Sequence, residues 1–249
     1  MGSSFGVISQ TGNNIQTEGL VFYVDPAYKI SYPGTGTSIT DIESDFSGLV
    51  TNSPTFDPDQ GGGVFNYDGS HMYLNFASAD IGNILDNQKF TLCAWCKLDG
   101  SNSTGREIFG YRASSWVGIG FYNIGTNTLV FQLGDKTTTA VNSQSGNWSF
   151  YNSRVSSWSD GNWKCIIGTW DGTDSKIYIN GNLEATATPP ATLTIDYATC
   201  PDNARIGQRN DGSNMPWEGQ IGPVQVYNRA LSAGDVLQNY TAQKGRFGL

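Results

Sequence analysis

The chain holds one histidine, His71, in the run Asp68-Gly69-Ser70-His71-Met72. A nucleophile triad or a histidine-rich metal site needs imidazole as base or ligand. A single histidine at a strand entry supplies neither and reads as a packing or surface residue. Glycoside hydrolysis needs two carboxylates at a controlled separation. Glutamate occurs only at Glu18, Glu43, Glu107, Glu184 and Glu218, and none stands in an alternating acidic triplet. Asp41, Glu43 and Asp45 do alternate, but in a Ser- and Thr-rich stretch without an apolar frame, which predicts a solvated acidic loop. The expectation is a noncatalytic protein, with no residue in a catalytic role.

Metal chemistry meets similar obstacles. Cys93-x-x-Cys96 sits in a predicted strand, so its thiols face opposite sides, whereas a zinc pair sits on a turn. Together with Cys165 and Cys200 they are expected to be buried, reduced thiols. Oxygen ligands for calcium are plentiful in loops, at Asp25, Asp41, Asp45, Asp57, Asp59, Asp68 and Asp211. No metal or other cofactor is expected, with calcium kept as the alternative. Gly34-Thr35-Gly36-Thr37 lacks the strand-to-helix setting of a nucleotide loop. Aromatic rings near turns offer stacking faces for sugars: Trp116, Trp148, Trp158, Trp217, Tyr28, Tyr32 and Tyr122. Buried core rings have the same composition, and most of these are expected in the core.

These residues need elements to hold them. Asn162 to Thr186 reads as three antiparallel strands, with turns at Asp171-Gly172-Thr173-Asp174 and Asn180-Gly181. Further strands are predicted over 19–25, 64–67, 72–76, 89–98, 107–111, 117–123, 128–133, 148–151, 203–208 and 219–227. The stretch Ser31 to Pro58 predicts a long surface excursion with one short strand at Leu49-Val50-Thr51. Helix is predicted over Ala79–Leu85 and Ser232–Gln243, the latter capped by Ser232 with Asp235. Its staple is Leu231 with Val236, its stripe Val236, Leu237 and Tyr240, and its stop Gly245. The strands at 90–96 and 164–170 are apolar on both faces. Each therefore needs cover on the side away from the core; cover from within the chain is expected, since the 31–58 excursion needs somewhere to lie, with another subunit as the alternative. The class is all-β, an antiparallel two-sheet sandwich with a short C-terminal helix, as an arm over 1–17 and one domain over 18–249.

Composition narrows the partners. A net charge of −8 and dispersed lysines and arginines argue against nucleic acid and anionic membranes. No apolar run has transmembrane length, and the N-terminus does not read as a signal peptide. Synthesis in a cytosol is expected.

The meander also carries a resemblance. Trp163-x-x-x-x-Gly168-Thr169-Trp170-Asp171-Gly172, followed by Ile177-Tyr178-Ile179-Asn180-Gly181, resembles laminin-G-like, concanavalin A-like jelly rolls, mostly binding and structural modules. Glucanases of that fold set acidic residues at alternate strand positions, a pattern missing here. Many close relatives place acidic calcium ligands before the last strand, where this chain has Ile221-Gly222-Pro223-Val224. The ending VYNRALS…LQNYTAQKGRFGL and the early GLVFYVDPAYKISYPGTGTS are similar to tailed-phage virion proteins of this class, across nearly all of 18–249. The resemblance implies a noncatalytic virion protein, a capsid decoration or a fibre or adhesin component. It implies contacts with capsid or tail proteins and homo-oligomerisation. The alternative is a carbohydrate-binding lectin module for host-surface glycans, assisted by calcium.

Overall fold

The computed structural model describes residues 14–77, 89–99, 105–112, 118–125, 127–134, 150–189, 191, 193, 195, 203–210 and 215–249. The Ala79–Leu85 helix, residues 1–13 of the arm, Trp116, Trp148, Cys200 and Asp211 lie outside that set. The strands are β1 (Leu20–Val24), β2 (Ser38–Thr40), β3 (Ser47–Thr51), β4 (Thr55–Asp57), β5 (Val64–Asp68), β6 (Tyr73–Phe76), β7 (Phe90–Leu98) and β8 (Arg106–Arg112). They continue with β9 (Gly118–Ile124), β10 (Thr128–Gly134), β11 (Phe150–Ser156), β12 (Lys164–Trp170), β13 (Ser175–Ile179), β14 (Asn182–Ala187), β15 (Ala204–Ile206) and β16 (Glu218–Tyr227). Helix α1 (Ala233–Gln243) leads into a 3-10 turn, Lys244–Phe247.

Two antiparallel sheets form the sandwich. Sheet A runs β14-β13-β12-β7-β16-β5-β4, with β1 also paired to β16, and sheet B runs β11-β10-β9-β8-β15-β6-β3-β2. The Asn180-Gly181 turn has positive φ at both residues, 51° and 82°, as a two-residue hairpin of this hand requires. Along one edge of β16, β5 pairs with Glu218–Ile221 and β1 with Val224–Tyr227. Gly222-Pro223 fills the bulge between them, where a residue without an N–H costs no ladder bond.

The main core lies between the sheets. Phe22, Phe65, Phe90, Leu92 and Trp170 from sheet A meet Phe76, Phe109, Tyr111, Phe121 and Phe131 from sheet B. Contact is close enough that a Cβ on Gly168 would stand 2.7 Å from the Phe131 ring. A second cluster covers the outer face of sheet A. There Cys93, Trp95, Cys165 and Ile167 pack under Leu231, Val236, Ala242 and Phe247, with Ile15 beside them. Cys96 faces the main core and Cys93 the outer cluster, the opposite orientation the strand period demands.

Several local expectations need correction. Residues 31–58 carry three short strands, β2, β3 and β4, rather than one. They extend both sheet edges, and Ser- and Thr-rich sequence conceals them because an edge strand buries little. The strand expected over 203–208 closes at Ile206, where β15 ends its pairing with β6 and β8. The capping box of Ser232 and Asp235 is present. The buried stripe of α1 is Val236, Asn239, Ala242 and Gln243, while Leu237 is 53% exposed. Polar Asn239 and Gln243 face inward because buried side chains bond them. The chain leaves its helical path at Gly248, φ 74°, not at Gly245.

Candidate functional site

The outer face of sheet A is consumed by the chain's own C-terminal segment. Trp95 stacks on Phe247 at 4.2 Å between ring centroids, and its Nε1 donates to Gln243 Oε1 at 2.8 Å. Asn239 Nδ2 donates to the Tyr227 hydroxyl at 2.9 Å, and that hydroxyl donates to the Gln16 carbonyl at 3.0 Å. Arg246 grips fully buried Asp25 in a two-pronged pair, Nη1–Oδ2 2.6 Å and Nη2–Oδ1 2.9 Å. The Tyr23 hydroxyl donates to the same carboxylate at 2.8 Å. The early segment around Tyr23 and Asp25 and the C-terminal segment thus meet each other, and these residues serve internal docking. Burial and the neighbouring Asp25 carboxylate raise the Tyr23 pKa well above that of an ordinary phenol. Burial also raises the thiol pKa of Cys93, Cys96 and Cys165 far above the usual range, which keeps them protonated.

The acidic loop is only partly solvated. Glu43 and Asp45 are exposed, but Asp41 is fully buried. Its Oδ1 accepts from Tyr23 N and Glu43 N, and its Oδ2 from Ser44 N at 2.8 Å. Three backbone donors hold this carboxylate as a structural knot, a role that alternation of charge did not signal. Burial pushes its pKa up to about 6 against the pull of those bonds. Asp25, Asp41, Asp57 and Asp68 each bond locally, and no three acidic, cysteine or histidine side chains group as a metal site among the described residues.

The rim aromatics are mostly internal. Tyr32, Tyr122, Trp158 and Trp217 are buried, and Tyr28 is half-buried. Trp158 Nε1 donates to Asn123 Oδ1 at 2.9 Å inside the sandwich end.

The outer face of sheet B has a different character. Register aligns one transverse row across its strands: Ser38, Leu49, Asn75, Arg205, Gly110, Gly120 and Gln132. The end toward β2 is open. Tyr73, Asn75 and Arg205 are half-buried, and His71 and Leu49 are exposed. The Arg205 guanidinium lies over the Tyr73 ring at 4.2 Å, its Nε donates to Asn75 Oδ1 at 3.4 Å, and its Nη1 donates to the Arg209 carbonyl at 3.2 Å. Beside it, His71 Nδ1 lies 2.8 Å from Gln208 Nε2. Toward the centre the face closes. Glu107, Gln132, Arg209 and Asn210 are buried, and a Cβ on Gly110 would stand 2.7 Å from Glu107 Oε1 and 3.3 Å from Asn210 Oδ1. The segment after β15 is held on β8 by Gly207 N to the Ile108 carbonyl, 3.0 Å, and Glu107 N to the Met215 carbonyl, 2.9 Å. Glu107 is the only acidic residue on the described strands of sheet B.

Sequence reasoning singled out neither Tyr73, Asn75 nor Arg205, because their meeting depends on the pairing of β6 with β15, 130 residues apart for Asn75 and Arg205. The alternation in Tyr73-Leu74-Asn75-Phe76 was the one local signal, since it sets Tyr73 and Asn75 on the face away from the core.

The architecture and its sequence agree with a known group. The family model of the Concanavalin A-like lectin/glucanases superfamily matches residues 68–237, about two thirds of the chain. The chain belongs to that superfamily. Human adhesion G-protein coupled receptor D1 is 27% identical over 88 residues, which span 35% of this chain and 10% of the receptor. Among solved structures, the binding domain of botulinum neurotoxin DC in complex with SialylT superposes with a TM-score of 0.67 at 14% identity, covering 90% of this chain and 52% of that one. The same domain in complex with rat synaptotagmin II gives 0.65 at 14% identity over 90% and 52%. Trypanosoma rangeli sialidase in complex with sialic acid gives 0.62 at 18% identity over 94% and 35%. At these identities the likeness is one of fold, and the chain spans about half of the toxin domain and a third of the sialidase.

Proposed function

We propose that this chain is a noncatalytic recognition domain carried on a phage virion, and that it presents the open end of sheet B to a carbohydrate. The observation that carries the reading is the contrast between the two outer faces. Sheet A is sealed by α1 and Phe247, while sheet B leaves Tyr73, Asn75, Arg205 and His71 accessible. A phenol ring, an amide and a guanidinium form the set that stacks on a sugar ring and bonds its hydroxyls. Fold relatives described in complex with SialylT and with sialic acid support a glycan, although this fold makes up only part of each of those chains. A noncatalytic role is the reading because hydrolysis needs a pair of carboxylates, and the described strands of sheet B carry one acidic residue, buried Glu107. The resemblance of both chain ends to tailed-phage virion proteins supports the location.

A glycan array probed with the wild-type protein and with Tyr73→Ala tests the reading. Binding that the substitution abolishes is the expected result. An empty array, with and without calcium, would overturn the carbohydrate ligand. A second reading, attachment to capsid or tail proteins, is favoured by Leu49, which stands 57% exposed in the same row beside Asn75. Mass spectrometry of purified virions tests the location, and a chain absent from the particle would end both virion readings.

A further inference from the structure

We infer that the ligand of the sheet B face carries a carboxylate and that Arg205 receives it. The inference rests on the recognition face proposed above and adds its chemical class. Arg205 forms no ion pair among the described residues, and its contacts are Asn75, the Arg209 carbonyl and the Tyr73 ring. Those three contacts fix the plane of the guanidinium from one edge and one face. They use Nε–H and one N–H of Nη1, and leave the second Nη1 N–H and both of Nη2 uncommitted. A planar, oriented fork is what two-pronged carboxylate recognition requires, and little side-chain entropy remains to be lost on binding.

Charge points the same way. The chain carries −8 overall, so an unpaired arginine on it is expected to find a carboxylate of its own. Arg106, Arg229 and Arg246 each do so, with Glu218, Asp235 and Asp25. Arg205 does not, although Glu107 reaches over Gly110, its cross-strand neighbour. That carboxylate is buried in the closed centre of the face and lies beyond ion-pair distance of Arg205. Next to the guanidinium, Gly110 and Gly120 put no side chain in the transverse row. Tyr73 covers one face of the fork and Asn75 meets its Nε edge, while the imidazole of His71, held by Gln208, is exposed. A pyranose bearing a carboxylate, whether a hexuronic acid or a nonulosonic acid, fits that combination.

The test is calorimetric titration of the intact chain with three probes: a hexuronic acid oligosaccharide, its carboxyl-reduced neutral counterpart, and a sialylated oligosaccharide. One acidic probe is expected to bind at least tenfold more tightly than the neutral one. Arg205→Ala should remove that preference, and Arg205→Lys should restore part of it, since a point charge returns without the fork. The neutral counterpart varies the ligand alone, so the inference stays testable even if substitution at Arg205 harms folding. Equal affinity for acidic and neutral probes, unchanged by Arg205→Ala, would overturn the inference and leave the glycan face standing. Binding of none of the three, together with an empty glycan array, would overturn both. Capture of an acidic peptide in place of any sugar would replace the ligand class.

Discussion

At the scale of single residues, two buried carboxylates behave in opposite ways. Asp25 is compensated: Arg246 and Tyr23 both bond it. Truncating Arg246 would leave a buried charge facing one phenol and the Ala27 N–H. Breaking a buried pair from one side costs about 3–5 kcal/mol. Arg246→Ala should therefore lower the urea midpoint severely. The double replacement Asp25→Asn with Arg246→Met should recover much of the loss, measured by denaturant titration of the single and double variants. Asp41 has only backbone donors, and burial lifts its pKa from 3.8 to about 6. The folded chain therefore binds a proton more tightly than the unfolded chain between about pH 4 and pH 6. Stability from this group rises as pH falls through that window and is lost above it, by roughly 2–3 kcal/mol at about 1.4 kcal/mol per unit. Asp68 and Asp160 are held below the ordinary range by hydrogen bonds from Ser70 and Lys164, so their contribution fades only at lower pH. The melting temperature is expected to be higher at pH 5.5 than at pH 7.5. Asp41→Asn should flatten that difference, and a wild-type profile rising toward pH 7.5 would contradict the assignment.

At the scale of elements, the C-terminal helix is a lid whose start is set by one hydroxyl. Ser232 Oγ accepts from Asp235 N, and Asp235 Oδ2 accepts from Ser232 N and from Arg229 Nη1. Ser232→Ala should cost about 1 kcal/mol by loss of the cap. Hydrogen exchange should show the loss concentrated in the first turn of α1. That cap was legible because it depends on neighbours in sequence. So were the meander and the doubly apolar strands β7 and β12, whose composition demanded cover on both sides. The identity of that cover was not legible. Residues 31–58 are long enough to supply it, yet they build sheet edges, and only Ile42 among them packs against the outer cluster. The face of sheet B was also hidden. Arg205 looks like any surface arginine until β15 is placed beside β6, and no local pattern encodes that register. Alternation shows which residues share a side but not which strand lies next door. Gly168 offers a matching test of sheet packing. Gly168→Ala should cost about 1–3 kcal/mol, because the Phe131 ring occupies the space the methyl needs.

At the scale of the whole molecule, sheet A is a middle layer, with sheet B on one side and the helical lid on the other. Removing residues 231–249 would bare Trp95, Cys93, Cys165 and Tyr227 together. An apolar expanse of that kind leads to association. The truncated chain is expected to bind a hydrophobic dye and sediment as aggregates. A monomer with native melting behaviour would show that the lid is dispensable. The buried thiols supply a second measure, since Cys93, Cys96 and Cys165 should react with alkylating reagents only as the molecule opens.

The position of β16 has a consequence for biosynthesis. It is the shared neighbour of β1, β5 and β7, three strands translated long before it. Until it is made, β1 lacks any partner, while β5 has only β4 and β7 only β12. Sheet A therefore stays split, with β1 unpaired, until a strand about two hundred residues further along arrives to join its parts.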